Sequence, residues 1–324
     1  MNLTEPFDDQ AQYQAVCRLI EVDLAALPEA LAQALQAAFA EFKQGKFSQI
    51  AALLPAWLGQ QFPVATPVYA QLGAAQLYGW WYYWAQDQLL DGDGAADLLL
   101  GAHLALLRQI ELYTELGVTQ SPIWPLFRQL TVQSALGHQQ ELRYRLSELS
   151  VLGFEQLATF DQTVLLARAQ PFFFCSRAQA WLAGADPFGA AANLVIEALE
   201  ILTLARQLSD DASDWIDELK QDKLNSVACR FLGYLQQQAV FTDFSQLTAA
   251  QVAGQQILHE AFWPALEQQN QRLIEQTLQK LDAANQQQLA GLLRHQAKLN
   301  HDLWENHAIY RQQLRGFFGL AASE

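Results

Sequence analysis

The stretch Gln207-Leu-Ser-Asp210-Asp211-Ala-Ser-Asp214-Trp-Ile-Asp217-Glu218-Leu-Lys220 decides how the chain is read. It lies near the end of a long run whose apolar residues recur every three or four positions, the period of an amphipathic helix. Residues four apart share a helix face, so Asp210, Asp214 and Glu218 form one carboxylate stripe. Like charges at that spacing repel. The stripe therefore calls for a neutralising cation, or is simply a solvated face in a chain that is acidic throughout. Hard divalent cations such as Mg²⁺ take carboxylate oxygens, commonly together with substrate phosphates.

Upstream, Trp80-Trp-Tyr-Tyr-Trp84-Ala-Gln-Asp87-Gln-Leu-Leu-Asp91-Gly-Asp93-Gly94 repeats the theme. Asp87 and Asp91 are again four apart, and Gly92 and Gly94 stop the helix just after them. Both carboxylates then fall in the last turn, where the helix dipole disfavours anions. Five consecutive aromatics precede them. Most such rings pack between helices, but an aromatic face also stabilises a cation where water is excluded, and Trp80, Tyr83 and Trp84 are candidates to line a closed pocket.

Two aspartate-rich clusters on separate helices resemble the class I isoprenoid synthases, over roughly residues 40 to 230. Gln207-x-x-Asp210-Asp211-x-x-Asp214 is similar to the second acidic motif of the trans-prenyl diphosphate synthases. The same residues fit the Asn/Asp-x-x-x-Ser/Thr-x-x-x-Glu triad of terpene synthases, with Asp214 in the middle place. Asp87-x-x-x-Asp91 matches the outer positions of the first motif, but Gln88 stands where that motif has Asp. The resemblance implies that Asp87, Asp91, Asp210, Asp211, Asp214 and Glu218 hold Mg²⁺ ions that bind a prenyl diphosphate. It further implies a diphosphate-binding cation near Arg168, with catalytic charge there, and further candidates in Lys220 and Arg311. Arg311 follows Tyr310, a reversed form of a C-terminal pair seen in some terpene synthases. A lone Arg168 in an apolar helix must find an anion or a carbonyl, and an internal salt bridge would serve equally.

Composition narrows the field. The chain has 324 residues, 51% hydrophobic and 16% charged, enough for a large core. A formal net charge of −15, from 34 acidic and 19 basic residues, argues against nucleic-acid binding and against electrostatic docking on anionic lipid. Cys17, Cys175 and Cys229 are scattered, which fits a reducing cytoplasm and no structural zinc. The start lacks a signal pattern, and no apolar run is long enough to cross a membrane. The expectation is a cytoplasmic protein, not integral to a membrane, with a homodimer left open.

Helical periodicity runs through the rest. A helix is expected from Gln10 to about Phe42, broken near Pro28, then another to about Gln61. Further helices are expected over Val68–Asp91, Ala95–Leu116 and on to about Leu152. Phe160–Trp181 should kink at Pro171, which removes a hydrogen bond and clashes with the preceding turn; Phe172 and Phe173, directly after it, are further pocket candidates. Ala190–Leu219, Val227–Ala239, Ala249–Ala283 and Asn285–Phe317 complete the set. No segment alternates as a strand does. The expected fold is a single all-α domain over 1–324, a helical bundle around a central cavity.

The leading expectation is a Mg²⁺-dependent terpene synthase that ionises a prenyl diphosphate. Chain elongation needs a second diphosphate site; the sequence has only Gly45-Lys46 where elongating enzymes show a basic cluster, and no Arg between Asp91 and Arg108. Prenyl transfer, by elongation or head-to-head condensation, is the alternative. Gln88 supports a third reading, a non-catalytic helical protein with a vestigial site. A di-iron bundle is excluded because no His has Glu three residues before it.

Overall fold

The computed structural model describes residues 9–92, 97–149, 157, 162–241, 247–284 and 286–318. Within these residues the chain is all-α, with no strand and only an isolated antiparallel bridge between Arg145 and Lys223. Its contacts divide it into two compact units: Met1–Leu130 with Pro171–Asn193, and Thr131–Gln170 with Leu194–Glu324.

The first unit holds α1 (Asp9–Ala25), α2 (Glu29–Phe42), α3 (Lys46–Trp57), α4 (Thr66–Asp91), α5 (Asp97–Glu115) and the start of α6 (Trp124–Glu141), with α8 (Phe174–Leu182) returning to it. α4 packs along α5, α3 and α1. Pro67 sits in its first turn, where the missing N–H is no loss. Gly92 ends it in the left-handed conformation, φ 82°, which glycine adopts without strain. Gly73 lets α4 approach α3 so closely that an added Cβ would lie 2.4 Å from the Ala52 carbonyl oxygen.

The second unit holds α7 (Gln162–Ala169), most of α9 (Ala190–Lys220), α10 (Ser226–Gln237), α11 (Ala249–Gly254), α12 (Phe262–Ala283) and α13 (Gln287–Phe317). Its core gathers Trp215, Phe231, Phe262, Trp263 and Trp304 with aliphatic residues of α9 and α10. Asn225 caps α10 by accepting from the Ala228 N–H at 3.0 Å, and Thr248 and Gln251 form a reciprocal cap on α11.

Two breaks are instructive. Pro171 interrupts its helix as expected, leaving a 3₁₀ turn at Gln170–Phe173 between α7 and α8. The single helix expected over Ala249–Ala283 is instead two, separated by a 3₁₀ turn at Gln255–Ile257 and an irregular step to Phe262. Pro264 explains the restart: it has no N–H to give to an upstream carbonyl, so it suits the first turn of α12 and not the middle of a longer helix.

Among the described residues, no helix is long and apolar enough to cross a membrane. Cys17, Cys175 and Cys229 are buried free thiols.

Candidate functional site

In the second unit, α9 carries the acidic stretch on three of its turns. Asp210 and Asp214 are exposed and Glu218 is half-buried. Arg206, one turn before, reaches Asp210 at 3.3 Å, a pair open to solvent on both sides and worth little to stability. Asp211, adjacent to Asp210, has a different placement. Its carboxylate accepts from the Ser226 N–H at 3.0 Å and from the Ser226 hydroxyl, at the start of α10. Burial pushes its pKa up, while Ser226 and the nearby Arg168 guanidinium pull against that shift. Asp211 thus ties α9 to α10, and Asp210 and Asp214 are left on the outer side of the helix.

Arg168, near the end of α7, is ion-paired with Glu141 of α6, and its backbone carbonyl accepts from the Ser134 hydroxyl at 2.8 Å. Lys220 pairs with Asp217 at 2.7 Å on an exposed surface. Arg311 is buried, 7% exposed, with its guanidinium 4.7 Å from the centre of the Trp263 ring. Burial lowers its pKa to about 10, opposed by the carboxylates of Glu260 and Glu267. These three cations sit in three unlike settings: a partly buried ion pair, open solvent and an aromatic core.

In the first unit, Asp87 is half-buried in the last turns of α4. Asp91 ends that helix, and its side chain lies outside the described residues, as do 93–96. The aromatic run packs on several sides. Trp80 lies 4.2 Å from Phe47 and 5.9 Å from Phe172, ring centre to ring centre, and Trp84 lies 5.5 Å from Phe42. Tyr83 stands edge-on to Tyr82. Phe172 and Phe173 are buried. The Phe172 carbonyl, in the turn made by Pro171, accepts from Gln76 at 2.7 Å. A side chain of α4 therefore occupies a carbonyl that the break sets free.

Among the described residues no three His, Cys, Asp or Glu side chains are gathered as a ready metal cluster. The donor chemistry of Asp210, Asp214, Glu218 and Asp87 nonetheless fits Mg²⁺, which takes hard carboxylate oxygens and completes its shell with water and phosphate. Asp211 differs from these in that one of its carboxylate oxygens, Oδ2, already accepts twice from Ser226. Sequence reasoning missed Ser226 and Arg206. A Ser after the Asn225 cap is an ordinary helix start, and nothing local to it points back to a carboxylate fifteen positions earlier.

The fold is that of the isoprenoid synthases. A decaprenyl diphosphate synthase from Rhodobacter capsulatus superposes with a TM-score of 0.70 at 14% identity, covering 90% of this chain and 95% of that one. A geranyltranstransferase from Thermotoga maritima gives 0.61 at 14%, covering 91% and 99%. An isoprenoid synthase family member from Thermotoga neapolitana gives 0.59 at 16%, covering 89% and 99%. No family model and no curated protein matches the sequence.

Proposed function

We propose that the protein is a Mg²⁺-dependent isoprenoid synthase that takes an allylic prenyl diphosphate and transfers its prenyl group to an acceptor. The observation that carries this reading is the division of labour on α9, where Asp211 is committed to Ser226 while Asp210 and Asp214 stay on the exposed face. The likeness to a decaprenyl diphosphate synthase and a geranyltranstransferase favours transfer over lyase chemistry.

Asp210, Asp214 and Glu218 on α9 would hold Mg²⁺, and Asp87 and Asp91 on α4 are the candidates of the first unit. Mg²⁺, when bound, supplies Lewis-acid stabilisation of the negative charge on a departing diphosphate. The aromatic residues Trp80 and Trp84 of α4 offer ring faces that favour a cation once water is excluded. Asp87 sits one to two turns beyond them on the same helix.

A second reading, a synthase that uses one diphosphate and forms a terpene, is favoured by a specific observation. The first arginine after Asp91 is Arg108, and it is held by Asp23 at 2.8 Å and Glu115 at 2.7 Å. An arginine so engaged is poorly placed to bind a second diphosphate.

The test is incubation with geranyl, farnesyl and geranylgeranyl diphosphates and Mg²⁺, with and without isopentenyl diphosphate, beside an Asp210→Ala control. Longer diphosphates formed only with isopentenyl diphosphate, and lost in the control, support prenyl transfer. Hydrocarbons or alcohols formed without it support the terpene reading. No turnover, together with no Mg²⁺-dependent stabilisation by inorganic diphosphate, sinks both.

A further inference from the structure

The turn that follows the acidic stretch, Gln221–Asn225, contains a backbone conformation that needs a cause. Asp222 has φ 66°, and Ala239 is the other non-glycine residue with positive φ among the described residues. The left-handed region is costly for an L-residue and persists where surrounding contacts hold it. Asp222 has such contacts. Its Oδ1 accepts from the Ser147 N–H at 2.8 Å, and its Oδ2 accepts from the Ser147 hydroxyl at 2.6 Å. Its backbone carbonyl accepts from the Leu146 N–H at 3.2 Å. Two residues on, the Leu224 N–H donates to the Tyr144 carbonyl at 3.0 Å. Tyr144, Leu146 and Leu224 are all buried in the core of the second unit.

The same turn holds α9 at two points. The Glu218 carbonyl accepts from the Gln221 and Lys223 N–H groups, both at 2.9 Å. Nearer the middle of the acidic stretch, the Asn225 side-chain amide donates to the Asp211 carbonyl at 3.0 Å. Ser226, next along, donates twice to the Asp211 carboxylate. The span from Asp211 to Glu218 is thus gripped at both ends by one short connection, and Asp214 lies between the two grips. Asp222 ties that connection to a separate stretch of chain, 144–147, which supplies no carboxylate to the stripe.

Glycine would reach the same φ without strain. What glycine lacks is the carboxylate that grips Ser147. A group that orients metal ligands without touching the metal typically alters metal affinity by about 10–100-fold when it is removed.

We propose that Asp222 and Ser147 are positioning residues for Mg²⁺ binding on α9. Acting through the turn, they set the placement of Asp214 and Glu218, and they touch neither metal nor substrate. The proposal rests on the reading of Asp210, Asp214 and Glu218 as the residues that hold Mg²⁺.

The experiment is calorimetric titration of the full chain with Mg²⁺ in saturating inorganic diphosphate, with urea unfolding of each variant alongside. Asp222→Gly keeps the backbone conformation and loses the grip on Ser147, and should raise the Mg²⁺ midpoint about tenfold. Ser147→Ala loses the hydroxyl but keeps the backbone donor, and should raise it about threefold. Asp222→Asn keeps the acceptor for that N–H and should stay within about twofold of wild type. Thr248→Ala removes the cap of α11, so it should lower stability and leave the midpoint where it is. If Asp222→Gly does not fold, Ser147→Ala decides the question. Failure of the metal reading looks different from failure of this proposal. A wild-type chain that shows no Mg²⁺-dependent diphosphate binding, or an Asp210→Ala variant that binds as wild type does, overturns both. Binding lost in Asp210→Ala but unchanged in Asp222→Gly and Ser147→Ala overturns the positioning role alone. A midpoint that moves as far in Thr248→Ala as in Asp222→Gly also overturns it, because the effect is then one of general stability.

Discussion

Asp211 and Ser226 are joined twice: the serine backbone N–H and its hydroxyl both donate to one carboxylate oxygen, Oδ2, fastening α9 to the first residue of α10. The neighbouring Asp210 faces out and pairs with Arg206, one turn earlier on the same helix. One residue along a helix turns the side chain by about 100°, so adjacent aspartates serve different purposes.

That difference is measurable. Asp211→Ala should lower stability by about 1–3 kcal/mol, because it leaves the Ser226 donors without their acceptor. Asp210→Ala should stay within about 0.5 kcal/mol of wild type. Urea unfolding of the two variants checks this, and equal losses would contradict the assignment.

Asp211 also makes a pH prediction. Its folded-state pKa is raised, chiefly by burial, so the folded protein holds this proton more tightly than the unfolded chain does. Its contribution to stability is then fully present below the unfolded value of 3.8, declines as pH rises through the raised folded value, and is lowest above it. The stability of wild type minus that of Asp211→Asn, followed from pH 3 to 7, should fall with increasing pH. A difference that rises with pH would mean the carboxylate is stabilised as an anion.

The helix under the acidic stretch was legible because Asp210, Asp214 and Glu218 recur at helical spacing between apolar residues. Which aspartate turns inward was not, since it depends on Ser226 after a turn at Gln221–Asn225. The break at Pro171 was legible from the ring chemistry of proline. The break before Pro264 rests on the same chemistry and was missed because the apolar period continues through it. The fate of Arg311 was not legible either: its burial is set by the Trp263 ring on a different helix. Local period and backbone chemistry survive in the sequence, while a polar side chain's partner is a tertiary fact.

Arg168 and Glu141 form an ion pair whose side chains are only 18% and 27% exposed. Removing one member takes a close charged partner from the other in a partly buried site, so Arg168→Met and Glu141→Gln should each destabilise the fold. The double variant should recover about 1–3 kcal/mol relative to the sum of the two, which a double-mutant cycle in urea would show. Additive effects would mean that the pair carries no coupling and that Arg168 is held by other contacts.

Gln179 is fully buried, and its side-chain amide donates to the Pro55 carbonyl at 2.7 Å and to the Phe62 carbonyl at 3.0 Å. One residue of α8 thus satisfies carbonyls at and beyond the end of α3. Gln179→Leu is close in size but leaves both acceptors dry, at a cost of about 2 kcal/mol or more. A change of less than about 0.5 kcal/mol in chemical denaturation would show that the helix end relaxes to find other donors.

The close approach of α4 to α3 at Gly73 tests how far that packing can give. At Gly73 a new Cβ would meet the Ala52 carbonyl oxygen at 2.4 Å and a Val16 methyl at 2.8 Å. A carbonyl within α3 cannot move alone, so α4 and α3 would have to separate, at a cost of about 3 kcal/mol or more. At Gly79 the same substitution meets the end of the Gln109 side chain at 2.2 Å, and a side chain can swing aside, so the loss should be smaller, about 1–2 kcal/mol. At Gly233, within α10, the new methyl meets nothing within 4 Å, and alanine should gain about 0.5–1 kcal/mol from helix propensity alone. Melting curves for the three alanine variants should therefore rank Gly233→Ala above wild type, then Gly79→Ala, then Gly73→Ala. Gly73→Ala melting at or above wild type would mean that α3 and α4 are not held as closely as this packing requires.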